Sequence, residues 1–278
     1  SDDLPLIGAW LDNDDTLKAI EDTDAMAFTG STQTGRLLAA HAGMHLKKTV
    51  LELGGSNPFI VMPDADLERA AVEACYSRFR DAGQSCNAAK RIVVTEAVAD
   101  RFIPLFLAEC AKLQTGDPKD PATTLAPLHR EDLRANVHAQ VQDAVANGAE
   151  VLMGGFIPEG KGWFYPATVL DKVNPDCRVW NEEVFGPVAM ILRAKDEEHA
   201  VALANDTPYG LGASIYTADT CRAWAFAEKI QAGSVFINRH TSSDLRLPFG
   251  GVKASGYGRE LSEFGLYEFV NVKTYWQK

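Results

Sequence analysis

Apolar runs of strand length alternate with amphipathic helical stretches along most of the 278 residues, which predicts an α/β protein with largely parallel sheets. Two observations carry the prediction. Runs such as Ile92-Val93-Val94 and residues 188–192 are apolar at consecutive positions, the pattern of strands covered on both faces. Between such runs apolar residues recur at helical spacing, most clearly over 131–147, where Leu133, Val137, Val141, Ala144 and Val145 make one stripe. Gly148 then stands where a left-handed cap belongs.

In chain order, Ala25 to Thr29 reads as a short buried strand that meets Gly30-Ser31-Thr32-Gln33-Thr34-Gly35, with a helix over 36–45. Strands over 49–53 and 58–62 are split by Gly54-Gly55. Asp64 or Asp66 caps a helix that places Leu67, Ala70, Ala71, Ala74 and Cys75 on one face. A strand at 92–94 precedes a helix over 99–113. Beyond the 131–147 helix come strands at 151–153, 167–170 and 188–192, then a helix over 196–205 halted before Pro208. A strand at 213–216, a helix over 220–231 closed by Gly233, and a strand at 235–237 follow. The final run, 268–276, alternates apolar and polar residues like a strand with a lone exposed edge.

With 46% hydrophobic residues the chain can bury one large core or two modest ones. A net charge of −11 argues against nucleic acid and anionic membrane surfaces as partners, because phosphate binding needs a basic face. No apolar run is long enough to span a bilayer, and the opening Ser-Asp-Asp-Leu-Pro does not read as a signal peptide. The five scattered cysteines, Cys75, Cys86, Cys110, Cys177 and Cys221, include no C-x-x-C pair. They fit reduced thiols and a cytoplasmic location better than a disulfide framework or a zinc site.

Three places stand out chemically. Cys86 follows Gly83-Gln84-Ser85, with Asn87, Lys90 and Arg91 beyond it. A thiol in a small polar loop beside cations is expected to be accessible and to have a lowered pKa, although a lone free cysteine is more often a packing residue. The other four cysteines read as packing residues. Glu52 sits between Leu51 and Leu53 at a strand end against Gly54-Gly55; it is either a carboxylate whose raised pKa is used or an outward-facing residue on a half-exposed strand. Gly30 to Gly35 has the strand–turn–helix form that aims backbone N–H groups at a phosphate, yet lacks the full G-x-G-x-x-G spacing, so an ordinary turn fits it equally. A dinucleotide-binding sheet would need more strands before residue 25 than the opening supplies, and the chain reads as starting inside a domain.

Taken in order, six motifs resemble the aldehyde dehydrogenase superfamily. They are Phe28-Thr29-Gly30-Ser31, Leu51-Glu52-Leu53-Gly54-Gly55, Gly83-Gln84-Ser85-Cys86, Glu182-Glu183-Val184-Phe185-Gly186-Pro187-Val188, Pro248-Phe249-Gly250-Gly251-Val252-Lys253 and Ser255-Gly256-Tyr257-Gly258-Arg259-Glu260. The resemblance runs from about Asp22 to Lys278. It implies an α/β fold in which residues 1–55 close a Rossmann-type cofactor domain, 56–250 form a catalytic cysteine domain, and 251–278 end in an oligomerisation strand. Complete members carry a longer N-terminal portion with the first strands, the adenosine contacts and an asparagine of the oxyanion hole.

By the same resemblance the reaction is oxidation of an aldehyde to a carboxylic acid with NAD or NADP. Cys86 matches the nucleophile and Glu52 the general base for water. Gly30, Ser31 and Gly35 match the pyrophosphate turn, and Leu53 counts among the cofactor contacts. Glu183 matches the carboxylate on the nicotinamide ribose, with Phe185 beside it. Glu260 matches a second carboxylate that relays the proton or is structural, and Phe249 an aromatic lining the substrate tunnel. Arg80 and Ser243 resemble the pair that holds the distal carboxylate in bacterial succinate-semialdehyde dehydrogenases; otherwise Arg80 is a surface residue at a helix end. Ala88 stands where several relatives have a second cysteine, so no redox switch is expected there. The resemblance further implies a homodimer or homotetramer. Another aldehyde specificity, an inactive truncated fragment, and a cysteine hydrolase using Cys86 and Glu52 are the alternatives.

Overall fold

The computed structural model describes residues 13–278. The chain opens with α1 (Asn13–Asp22), β1 (Ala25–Thr29), α2 (Thr32–Met44) and β2 (Lys48–Glu52). β1 and β2 pair in parallel, as the connecting helix requires. α2 begins four residues earlier than the apolar spacing predicts, because the Ser31 hydroxyl caps it by accepting the Thr34 N–H at 3.1 Å. Gly35 therefore lies inside the helix, and a Cβ there would strike the Leu53 side chain.

The main sheet is built from β3 (Pro58–Val61), β4 (Arg91–Thr95), β5 (Glu150–Met153), β6 (Thr168–Asp171), β7 (Val188–Ala194), β9 (Gly212–Tyr216) and β10 (Ser234–Ile237). Its order is β10-β9-β3-β4-β7-β6-β5, parallel throughout except for β5 at the edge. Phe59, Ile60, Val61, Ile92, Val93, Val94 and residues 188–192 are all buried, as strands covered on both faces must be. The covering helices include α3 (Leu67–Phe79), α4 (Glu96–Cys110), α5 (Glu131–Ala146), the short α6 (Arg178–Asn181), α7 (Glu197–Asn205) and α8 (Thr220–Ala227). Asp66, not Asp64, caps α3 by accepting the Arg69 N–H. Asp64 instead ties the start of α8 to the sheet, accepting from Thr217 Oγ1 and the Asp219 N–H. In α5 Val137, Val141 and Ala144 are buried, whereas Val145 is exposed.

Two departures concern the end of the chain. Two-residue strands β8 (Tyr209–Gly210) and β11 (Val252–Lys253) pair with each other, and β12 (Gly256–Tyr257) returns to β2 as an antiparallel third strand of the first sheet. Glu268, predicted to open a strand, closes helix α9 (Ser262–Glu268), and residues 269–278 join no ladder among the described residues. A strand needs a partner for its backbone groups, and this segment has none here to register against. Among the described residues no helix is long and apolar enough to cross a membrane.

Candidate active site

Glu52 ends β2, where an alternating strand would normally send it outward. It is instead 2% exposed, because β12 lies across β2 with Gly256 opposite Glu52, and because Gly250, having no side chain, approaches the carboxylate. Both carboxylate oxygens are buried without a hydrogen-bond partner. Burial, reinforced by the nearby Glu260 charge and opposed by Arg259, raises its pKa from 4.5 to about 7. The outward-facing reading of Glu52 is thereby overturned.

Immediately after Glu52 the chain turns through Gly54-Gly55, and both glycines are demanded by what lies against them. A Cβ on Gly55 would strike the carbonyl of Cys86, and one on Gly54 would lie 2.6 Å from Glu183 Oε2. Ser255, wholly buried, locks the turn: its hydroxyl donates to the Gly54 carbonyl at 2.6 Å and accepts the Gly210 N–H at 3.0 Å. Cys86 is carried to this turn by the loop that follows α3, in which Asp81, Ala82 and Gly83 all have positive φ. Gly83 is needed there because a side chain would collide with the Gly186 carbonyl.

The electrostatics at Cys86 correct the expectation of a lowered pKa. Burial pushes the half-buried thiol up, and the carboxylates of Glu183 and Glu52 add to the rise. Lys90 and the Asn87 N–H oppose it without reversing it. Arg91 plays no part, since its guanidinium is spent on the carbonyls of Ser56, Leu203 and Ala204. Lys90 is 0% exposed and donates to the carbonyls of Ser85 at 2.6 Å and Cys86 at 2.8 Å. It also faces Glu183 Oε1 at 3.2 Å, and burial lowers its pKa to about 8.

Glu183 is thus the hub between the two loops, for its Oε1 also accepts the Gly55 N–H at 3.1 Å. Its segment is anchored by Arg78 of α3, fully buried, whose guanidinium donates to the carbonyls of Val184, Gly186 and Val188. Phe185 is half-buried beside it. On the other side of Gly54, Thr32 Oγ1 accepts the Gly54 N–H at 3.4 Å and donates to the Ala254 carbonyl. Gly30 and Ser31 are exposed at the N-terminus of α2, while Gly35 and Leu53 pack against each other and set the spacing of α2 from β2. An exposed helix N-terminus next to a carboxylate hub fits a ligand with phosphates at one end and hydroxyls at the other.

Arg80 is not a surface residue. Its Nη2 donates to Asn87 Oδ1 at 2.6 Å, one residue from the thiol, and its Nε is buried without a partner. Asn87 also accepts from Ser85 Oγ, and its carbonyl accepts from Asn57 Nδ2 and, at 2.5 Å, from Thr241 Oγ1. Ser243 lies two residues beyond Thr241 and is exposed, with no hydrogen bond to Arg80. Phe249 is half-buried and exchanges backbone hydrogen bonds of 2.8 and 2.7 Å with Glu260, which brings that carboxylate toward Glu52.

Of the other cysteines, Cys75, Cys110 and Cys177 are buried packing residues as expected, but Cys221 is exposed on α8. Lys90, Arg78, Asn57, Asn87, Thr241 and Ser255 are the residues that sequence reasoning did not pick out as structural parts of the site. Asn87 and Lys90 stand beside Cys86 in the sequence and Ser255 opens a motif, but Arg78, Asn57 and Thr241 carried no signal.

The model of the aldehyde dehydrogenase family matches residues 8–275. The chain is 49% identical over 272 residues to a succinate semialdehyde dehydrogenase [NAD(P)+] of Escherichia coli, covering 96% of this chain and 59% of that protein. It is 50% identical over 252 residues to an aldehyde dehydrogenase of Paenarthrobacter nicotinovorans, covering 91% and 55%. Among solved structures it superposes with a TM-score of 0.91 on the succinic semialdehyde dehydrogenase of Streptococcus pyogenes in complex with NADP+, at 41% identity, over 94% of this chain and 58% of that one. The chain spans less than two thirds of the length of these relatives. With a match over nearly its whole length and the site motifs gathered around one glycine turn, the chain belongs to the aldehyde dehydrogenase family.

Proposed function

We propose that this chain supplies the catalytic residues of an NAD(P)-dependent aldehyde dehydrogenase that oxidises an aldehyde to a carboxylic acid, with succinate semialdehyde as substrate. The observation that carries the reading is Glu52: a buried carboxylate with both oxygens unpartnered, its charge felt at the Cys86 thiol. Such a group is costly to a fold and useful to a reaction that needs a base near neutral pH.

Cys86, as thiolate, attacks the aldehyde carbon and forms the C–S bond, while negative charge gathers on the aldehyde oxygen. The Cys86 N–H stabilises that charge. Lys90 aims it: a peptide group is planar and trans, so gripping the Ser85 carbonyl fixes the direction of the Cys86 N–H on the opposite side of the same plane. A bound nicotinamide dinucleotide would supply the hydride acceptor, and loss of hydride from the carbon held on Cys86 would leave a thioester there. Glu52 then takes a proton from water as the water oxygen attacks the thioester carbon, and the Cys86 sulfur departs as thiolate. Glu260 passes the proton onward. The turn of Gly30, Ser31 and Gly35 would hold the cofactor's phosphate end, Leu53 behind Gly35 would count among its contacts, and Glu183 with Phe185 would hold its nicotinamide end.

The substrate reading rests on Arg80. Its unpartnered buried Nε is a donor available to a carboxylate beyond the aldehyde, and the relatives from Escherichia coli and Streptococcus pyogenes bear the succinate-semialdehyde name. Cytoplasmic location belongs to the same reading. In an assay with several aldehydes and both dinucleotides, Cys86→Ala is expected to abolish turnover and leave dinucleotide binding nearly intact. Retention of more than a few per cent of turnover would sink the proposal.

A further inference from the structure

At the opposite end of α2 from the Ser31 cap, three potential metal ligands meet. His41 lies in the last turn of α2, and His45, four residues on, caps its C-terminus. Glu21 comes from the last turn of α1. Glu21 Oε1 lies 3.2 Å from His41 Nε2 and 3.6 Å from His45 Nε2, and the three ligand atoms all lie within 4.8 Å of one another. The imidazole centroids are 4.8 Å apart, with the rings inclined at 42°.

We infer that this His–His–Glu cluster is a site for a divalent transition metal, Zn2+ by preference. Ligands at about 2.1 Å from a tetrahedral Zn2+ stand about 3.4 Å from each other, and the two nitrogen–oxygen separations bracket that value. The alternative is a plain histidine–carboxylate pair, which would align one ring N–H with the oxygen. His41 Nε2 does not do this: it is buried and has no hydrogen-bond partner, although Glu21 Oε1 is only 3.2 Å away. Two ring nitrogens and one oxygen within 4.8 Å of one another, with His41 Nε2 making no hydrogen bond, suit a cation between them. Imidazole and carboxylate together select the borderline metals over Ca2+ or Mg2+.

The backbone beneath the cluster is fixed. Ile20, Leu38 and Ala42 are buried together in a small core of their own, with Leu17, Met26 and Phe28 against it. Glu21 adjoins Ile20 and His41 adjoins Ala42, so two of the three ligands are one residue from a buried anchor. A core of this size holds α1 weakly, and a metal joining the ends of the two helices would staple them, raising stability as metal concentration exceeds the dissociation constant.

The test is equilibrium dialysis of the chain against Zn2+, together with the absorption spectrum of the Co2+-loaded protein and the thermal midpoint with and without Zn2+. One Zn2+ per chain is expected, with a raised midpoint and a Co2+ spectrum free of the thiolate charge-transfer band that a cysteine ligand would give. His45→Ala and Glu21→Gln, both at partly exposed positions, should fold and bind Zn2+ weaker by roughly tenfold or more, while Cys86→Ala should bind it unchanged. No stoichiometric binding, binding that survives His45→Ala, or binding lost with Cys86→Ala would each overturn the inference.

Discussion

A carboxylate with no hydrogen-bond partner destabilises the fold that buries it, and at Glu52 the cost depends on pH. Because the native pKa is raised from 4.5 to about 7, the folded chain keeps a proton between those values that the unfolded chain has released. The contribution of Glu52 to stability is thus fully present below pH 4.5 and is lost as the pH rises through about 7. Glu52→Gln is therefore expected to unfold together with the parent near pH 4.5, and to be more stable by roughly 1–3 kcal/mol above about pH 8. Thermal melts at the two pH values check this, and equal differences at both would refute it. In stopped flow the same variant should retain the burst of reduced dinucleotide and lose most of the following steady rate, since water activation comes after hydride transfer. Arg80 is tested by substrate comparison. Arg80→Ala should raise KM for succinate semialdehyde by an amount worth on the order of 2–5 kcal/mol, and change it little for butanal, which has no second charge to lose. Similar losses for both aldehydes would remove the specificity role.

The elements that sequence patterning finds are those whose burial is decided locally. β3 is apolar throughout, and β4 and β7 are apolar over 92–94 and 188–192, because both faces are covered there; their limits agree with expectation to within two residues. β8, β11 and β12 were not legible, since a two-residue strand is defined by its partner and not by its own composition. The same division holds within the site. Cys86, Glu52 and Glu183 are visible as motifs, while Lys90 reads from the sequence only as a cation beside the thiol. Its role in gripping two carbonyls depends on the loop of Asp81, Ala82 and Gly83, whose positive φ values no alanine or aspartate advertises. The supposed lowering of the Cys86 pKa failed for that reason: charge was read from the sequence, and burial was not.

On the scale of the molecule, the unpaired C-terminal segment matters most. Val272, Tyr275 and Trp276 are all exposed, an arrangement a single chain in water tolerates poorly. We propose that residues 269–276 gain a sheet edge to join from a second chain, which makes a homodimer or homotetramer the expected state. Light scattering at micromolar concentration checks it; a strict monomer would count against it, and truncation before residue 269 should shift the population toward monomer.

The tie between Ser255 and Gly54 spans 201 residues of chain, and this gives the site an order of assembly in time. A ribosome adding roughly 5–20 residues per second needs on the order of ten seconds or more to travel from one to the other. Throughout that interval Glu52 is already made but has no β12 beside it and no Gly250 above it, so it stays a hydrated carboxylate of ordinary acidity. The thiol of Cys86 is also in place by then. A nascent or prematurely ended chain therefore has its nucleophile long before it has its base, and the last strand to emerge is the one that completes the site.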